Sequence, residues 1–366
     1  MYEHVGTQTT AIEENTRPFQ NFIHSLKSNY TKYEYKKGLS RYVCHYNTTP
    51  EKMLSLPIDD VEDNLVDYLL YMKKQDLSTS FINLNFCALK HFYFMNNVRI
   101  NKEKIGKFLG ESKKKNVDRS YEHPEIKRML DIADLRFKVV ISVLASTGIR
   151  IGPLPSLKLS HLQKIPSQGV YKFKIYENTK DEYLTFCSPE CASYIDSYLE
   201  YRTRSGEKLT KDSFLIREQF DVNDIEQVRK QGRSISINSM SNILNSLAVR
   251  SGVRQVNHFA KRGRERQPIP LAHGFRKFFT TQLINSKVNP EIREMLLGHS
   301  IGLAGAYYKP TEDEMLEQFM LAVDNLTINP ENRLLKQVTV LQQRNDSLDR
   351  LLDRLDKLEK EIGIKI

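Results

Sequence analysis

Three distant segments carry side chains able to bind and process an anion: STGIRIGPL around Arg150, LAHGFRKFF around His273 and Arg276, and MLLGHSIGLAGAYYKP around His299, Tyr307 and Tyr308. Arginine forks bind oxyanions bidentately, imidazoles move protons near neutrality, and a phenol attacks once a base takes its proton. Each segment alone is a modest signal, because an arginine after a helix or a His-x-x-Arg pair is most often structural. Local structure nevertheless aims them. His273 and Arg276 lie three residues apart and share a helix face, while Phe275, Phe279 and Leu283 turn to the core. Asn289 with Pro290 starts a second helix and Gly298 ends it, so His299 projects from a helix end. Thr311 with Glu314 forms a capping box, which leaves Tyr308 in the short connection before the next helix.

The elements that must position these residues follow from periodicity. From about Arg17 to Leu109 the spacing of Leu65, Tyr68, Leu69 and Met72, then of Phe86, Leu89, Phe92 and Tyr93, predicts an all-helical domain, 17–112. GESKKKNVDR follows as a polar linker. In the second domain, 118–325, KVVISVLASTGI predicts a buried helix interrupted at Gly148. VYKFKIYENTKDEYLTFCSP alternates at period two and turns at Asn178 to Asp181, a β-hairpin. The fold class is mainly α with a small antiparallel β-sheet. Over 328–362, Leu334, Leu341, Leu348, Leu355 and Ile362 take one heptad position and Val338, Asn345, Leu352 and Glu359 the other. That pattern is a C-terminal coiled coil suited to dimerisation, with Asn345 setting register; the alternative is a single amphipathic helix packed on its own chain.

The net charge of +10 over 366 residues points to a polyanionic partner. Four scattered cysteines give no disulfide framework. The close pair Cys187 and Cys191 lacks two further soft ligands for zinc, so they read as structural. The polar N-terminus and the short apolar runs place the protein in the cytoplasm, with no membrane partner.

Taken together the segments resemble the tyrosine recombinases, including the Xer proteins and lambda-type integrases. The TG[IL]R block supplies Arg150, HGFR supplies His273 and Arg276, and LLGHS supplies His299. The family's tyrosine follows that histidine by nine positions, which selects Tyr308 over its neighbour Tyr307. The resemblance implies a helical core-binding domain that clamps DNA, followed by a catalytic domain. It implies strand cleavage through a 3′-phosphotyrosyl intermediate without cofactors, either metal or ATP, and a four-protomer synapse on paired crossover sites. Arg150 and Arg276 would hold the non-bridging oxygens, His273 would accept the phenolic proton, and His299 would hydrogen-bond the phosphate. A hairpin lysine would protonate the leaving 5′ hydroxyl; Lys180 fits best, with Lys172 and Lys174 as rivals. One position departs from the family: the acid usual three residues after the arginine is Pro153 here.

Two basic runs suit contact with DNA phosphates, Lys113, Lys114 and Lys115 in the linker and Lys261, Arg262, Arg264 and Arg266 before His273. A solvated charge run is the plain alternative for both. Other readings of the whole chain are a catalytically inert DNA-binding relative and a type IB topoisomerase-like relaxing activity.

Overall fold

The computed structural model describes residues 13–110, 118–230, 232–255 and 267–334, and beyond these 338, 341, 342, 345, 347–352 and 354. The chain divides into two compact units, Met1–Lys115 and Asn116–Ile366. No helix among the described residues is long and apolar enough to cross a membrane.

The first unit is helical: α1 (Arg17–His24), α2 (Asn29–Tyr46), α3 (Pro50–Leu54), α4 (Ile58–Lys74), α5 (Thr79–Met95) and α6 (Lys102–Gly106). Ser28, Thr49, Ser78 and Asn101 accept a backbone N–H at the start of α2, α3, α5 and α6, satisfying donors the helices cannot. The apolar stripes expected of α4 and α5 are all buried, and they close on Phe22 and Leu39 from α1 and α2.

The second unit is built around α8 (Leu135–Thr147), whose residues from Val139 onward are all buried. It follows α7 (His123–Ile132) and leads to a sheet of β1 (Leu162–Ile165), β2 (Val170–Ile175) and β3 (Tyr183–Phe186). The strands are antiparallel in the order β1-β2-β3, with Lys172 opposite Phe186 and Lys174 opposite Leu184. The sheet therefore has one strand more than the hairpin read from the sequence. Then come α9 (Pro189–Arg204), α10 (Ile225–Arg229), α11 (Ile237–Arg250), α12 (His273–Asn285), α13 (Pro290–Leu296), α14 (Ala304–Tyr307), α15 (Glu312–Met320) and α16 (Val323–Leu326).

Two glycines set the geometry of this unit. Gly148 ends α8 at φ +63°, and a Cβ there would lie 2.3 Å from the Phe279 ring, so α12 packs directly over the break. Phe275, Phe279 and Leu283 of α12 are fully buried against α8, each side chain contributing roughly 1.5–3 kcal/mol by leaving water. Gly298, at φ +67°, ends α13 with the Gly298 N–H on Met295 O at 2.8 Å and the His299 N–H on Glu294 O at 2.9 Å. Cys187 and Cys191 are buried in the same core.

The core of this unit extends to Ile328, where Glu190 accepts the N–H groups of Ile328 and Asn329 at 2.7 and 2.9 Å. Residues 330–334 and the described residues from 338 to 354 are helical. Their apolar seam, Leu334, Val338, Leu341, Leu348 and Leu352, is exposed, whereas Leu355, Glu359 and Ile362 lie outside the described residues.

Candidate active site

Arg276 is the hub of the site. It is 4% exposed, although an arginine beside an exposed histidine would ordinarily face solvent. Its Nη1 donates to the Gly148 carbonyl at 2.8 Å and its Nη2 to the Leu297 carbonyl at 2.6 Å. These two residues are the C-caps of α8 and α13, so the guanidinium sits at the negative ends of two helix dipoles and clasps both helices to α12. Burial first, and then the positive charge of Arg150, push its pKa below the ordinary arginine value. An anion between the two guanidinium groups would relieve that repulsion.

Arg150 follows the Gly148 break and is exposed, and among the described residues its side chain has no hydrogen bond or ion pair. His299 has a partner at each ring nitrogen, Nε2 lying 2.7 Å from Arg276 Nη2 and Nδ1 2.6 Å from Glu294 Oε2. His273 opens α12 and is exposed; partial burial, then Lys277 and Arg276, lower its pKa from the ordinary imidazole value against the opposing pull of Asp118. It is therefore neutral at neutral pH and able to accept a proton. Lys277 is held by Asp118, Nζ to Oδ1 at 2.6 Å.

Arg150, His273, Arg276 and His299 come from three distant segments and line one open cleft of about 450 Å³, together with Asp118 and Lys277. Tyr308 and Lys180 do not line it. Tyr308 occupies the connection between α14 and α15 and packs, half-buried, against the core, while Tyr307 is 90% exposed. The capping box that bounds this connection is present on both sides, Thr311 with Glu314. Lys180 is exposed in the β2–β3 turn and has no bonded partner among the described residues. Its two rivals are engaged, Lys172 with Glu312 at 2.6 Å and Lys174 with Glu177 at 3.3 Å.

Lys113, Lys114, Lys115, Lys261, Arg262, Arg264 and Arg266 lie outside the described residues. Three residues of the site were not anticipated. Glu294 could have been found from its place five residues before His299 across a helix-ending glycine, which folds the two together. Tyr183 on β3 had no such signal: its ring covers Gly298, its hydroxyl is buried without a hydrogen-bond partner among the described residues, and burial raises its pKa against Arg276 and Arg150. Lys277 reads in sequence as one more surface charge. Pro153, in the place of the family acid, is buried and gives its carbonyl to Ser156.

Comparison with known proteins gives this arrangement its context. Residues 113–314 match the model of the phage integrase family. The tyrosine recombinase XerC of Staphylococcus epidermidis is 22% identical over 322 residues, covering 83% of this chain and 96% of the relative. Among solved structures, the Tn1549 transposon integrase in complex with circular intermediate DNA aligns at TM-score 0.52 with 18% identity, covering 82% of this chain and 97% of that one. A lambda integrase tetramer bound to a Holliday junction aligns at 0.50 with 14% identity, over 79% and 76%. Matched over more than half its length, the chain belongs to the phage integrase family and is a tyrosine-type site-specific recombinase.

Proposed function

We propose that the cleft receives a scissile DNA phosphate and that Tyr308 attacks it, forming a 3′-phosphotyrosyl bond and releasing a 5′ hydroxyl. The carrying observation is the convergence of Arg150, His273, Arg276 and His299 on one cleft, with Arg150 unpaired among the described residues. Attack at phosphorus builds charge on the non-bridging oxygens, which two guanidinium groups stabilise best when no carboxylate competes. His273, neutral by its lowered pKa, takes the phenolic proton. His299 hydrogen-bonds the phosphate, and Lys180 protonates the departing oxygen. The phosphotyrosyl ester keeps the energy of the broken linkage, so attack by a 5′ hydroxyl reseals the strand without ATP or metal.

Tyr308 and Lys180 stand outside the cleft, each in a connection between elements, so productive engagement requires both connections to move when DNA binds. Duplex DNA with a specific crossover site is the substrate, and the first unit acts as the clamp. Strand exchange needs protomers assembled on paired sites; the lambda integrase relative forms a tetramer on a Holliday junction, and the exposed heptad seam offers a second copy a dimerisation surface. Leu341→Glu with Leu348→Glu then lowers the sedimentation coefficient of the full chain, and an unchanged value removes the coil from the assembly. The two basic runs meet phosphates, so reversing Lys261, Arg262 and Arg264 flattens the salt dependence of DNA binding.

The decisive experiment is a nicked suicide substrate carrying a site taken from repeats beside the gene. An SDS-resistant protein–DNA adduct is expected from the native chain and from Tyr307→Phe, and none from Tyr308→Phe. An adduct that survives Tyr308→Phe reassigns the nucleophile. Absence of any adduct with the native chain, despite specific binding, leaves a DNA-binding protein.

A further inference from the structure

His299 is held at both ring nitrogens, and the partners fix its proton. Arginine nitrogens only donate, so Nε2, 2.7 Å from Arg276 Nη2, is the acceptor. The proton of the neutral ring therefore sits on Nδ1 and is donated to Glu294 Oε2 at 2.6 Å. The contact is built into the backbone, because the His299 N–H also bonds the Glu294 carbonyl at 2.9 Å in the wrap that ends α13. Burial raises the Glu294 carboxyl pKa, but the hydrogen bonds from His299 and Arg293 outweigh it and hold the group below its ordinary value. Arg293 reaches the other oxygen, Nη2 to Oε1 at 3.0 Å.

In this resting arrangement His299 has only a lone pair to show the cleft, and a lone pair cannot bond a phosphate oxygen. When a phosphate takes over the Arg276 N–H that now points at Nε2, Nε2 must gain a proton to become a donor. A carboxylate on Nδ1 stabilises that doubly protonated ring. The charged and titratable groups around this pair are Arg276, His273 and Lys277 on α12, Arg293 on α13, Arg150 after α8, Tyr183 on β3 and Asp118. Asp118 is engaged by Lys277, so Glu294 is the carboxylate that bonds the ring.

We propose that Glu294 is a positioning residue for strand cleavage: it holds Nδ1–H while Nε2, released from Arg276, takes a proton from solvent water and donates it to the scissile phosphate. The inference rests on the reading of the cleft as the phosphate site.

The test is the pH profile of adduct formation on the nicked substrate by the full chain, its Glu294→Gln variant and its Glu294→Asp variant. Gln keeps an oxygen for Nδ1–H and loses the charge. Its alkaline limb moves to lower pH, an approximately tenfold loss above the native limb that is mostly recovered on acidification, with DNA affinity unchanged. Asp restores part of the native profile. A Gln profile that superimposes on the native one, or a loss uniform with pH, overturns the proposal while leaving the cleavage reading intact; a native chain that forms no adduct fails that reading instead. If Glu294→Gln does not fold, nitrogen NMR of histidine-labelled native protein decides: an Nδ1–H tautomer for His299 is expected, and an Nε2–H tautomer overturns it.

Discussion

Two arginine clusters in the second unit show what a carboxylate between the cations decides. Arg202 and Arg217 flank Glu207 at 2.7 and 2.8 Å, with side-chain exposures of 1%, 3% and 4% for Arg202, Arg217 and Glu207. Arg202 also donates to the carbonyls of Phe214 and Leu215. In the cleft, Arg150 and Arg276 are close enough to depress the Arg276 pKa, and the nearby acids are committed elsewhere, Asp118 to Lys277 and Glu294 to Arg293 and His299. The first cluster is closed and joins α9 to the chain that follows it. Among the described residues the second has no carboxylate between its arginines, and the proposed scissile phosphate would complete it.

This contrast breaks most visibly at Glu207. Glu207→Ala leaves two buried arginines without their carboxylate and should cost about 3–5 kcal/mol in urea unfolding, with adduct yield per folded molecule unchanged. Arg150→Ala should do the opposite, slowing adduct formation roughly 10²–10³-fold while stability stays within about 0.5 kcal/mol. A destabilised Arg150→Ala would make the cleft arginine structural after all. Arg150→Lys keeps the charge and loses the fork; a loss of about tenfold separates bidentate geometry from simple attraction. The smallest effect concerns His273, which must be neutral to accept a proton. Its pKa is lowered, so the acidic limb of the cleavage rate lies below the ordinary imidazole range. Lys277→Met removes a positive neighbour of His273, which favours the protonated ring. The limb then moves up in pH, with about a threefold further loss at pH 6.

Much of the site was legible because its signals are local. The Gly148 break, the Asn289–Pro290 start and Gly298 stop of α13, and the Thr311 box each depend on a few neighbouring residues, and the structure has all of them. So does the inward face of α12 at Phe275, Phe279 and Leu283. What could not be read depends on distant pairing. β1 is four residues of mixed polarity, LQKI, and exists as a strand only through its register with β2, Leu162 opposite Phe173. Arg202 and Glu207 look like solvated charges until Arg217 is brought beside them. The burial of Arg276 required the carbonyl of Gly148, 128 positions earlier in the chain. Tyr308 was selected by a family spacing, and its place beside the core rather than in the cleft was beyond any local pattern.

The grip of Arg276 on the ends of α8 and α13 makes it an interlock. One guanidinium fastens three helices and also presents charge to the cleft, so the helices cannot slide apart without withdrawing that charge. A partner that pulls on α13, or on the connection carrying Tyr308 just beyond it, would therefore reach the proposed phosphate site through a single side chain, and a chain that has come loose would lose the charge proposed to act there.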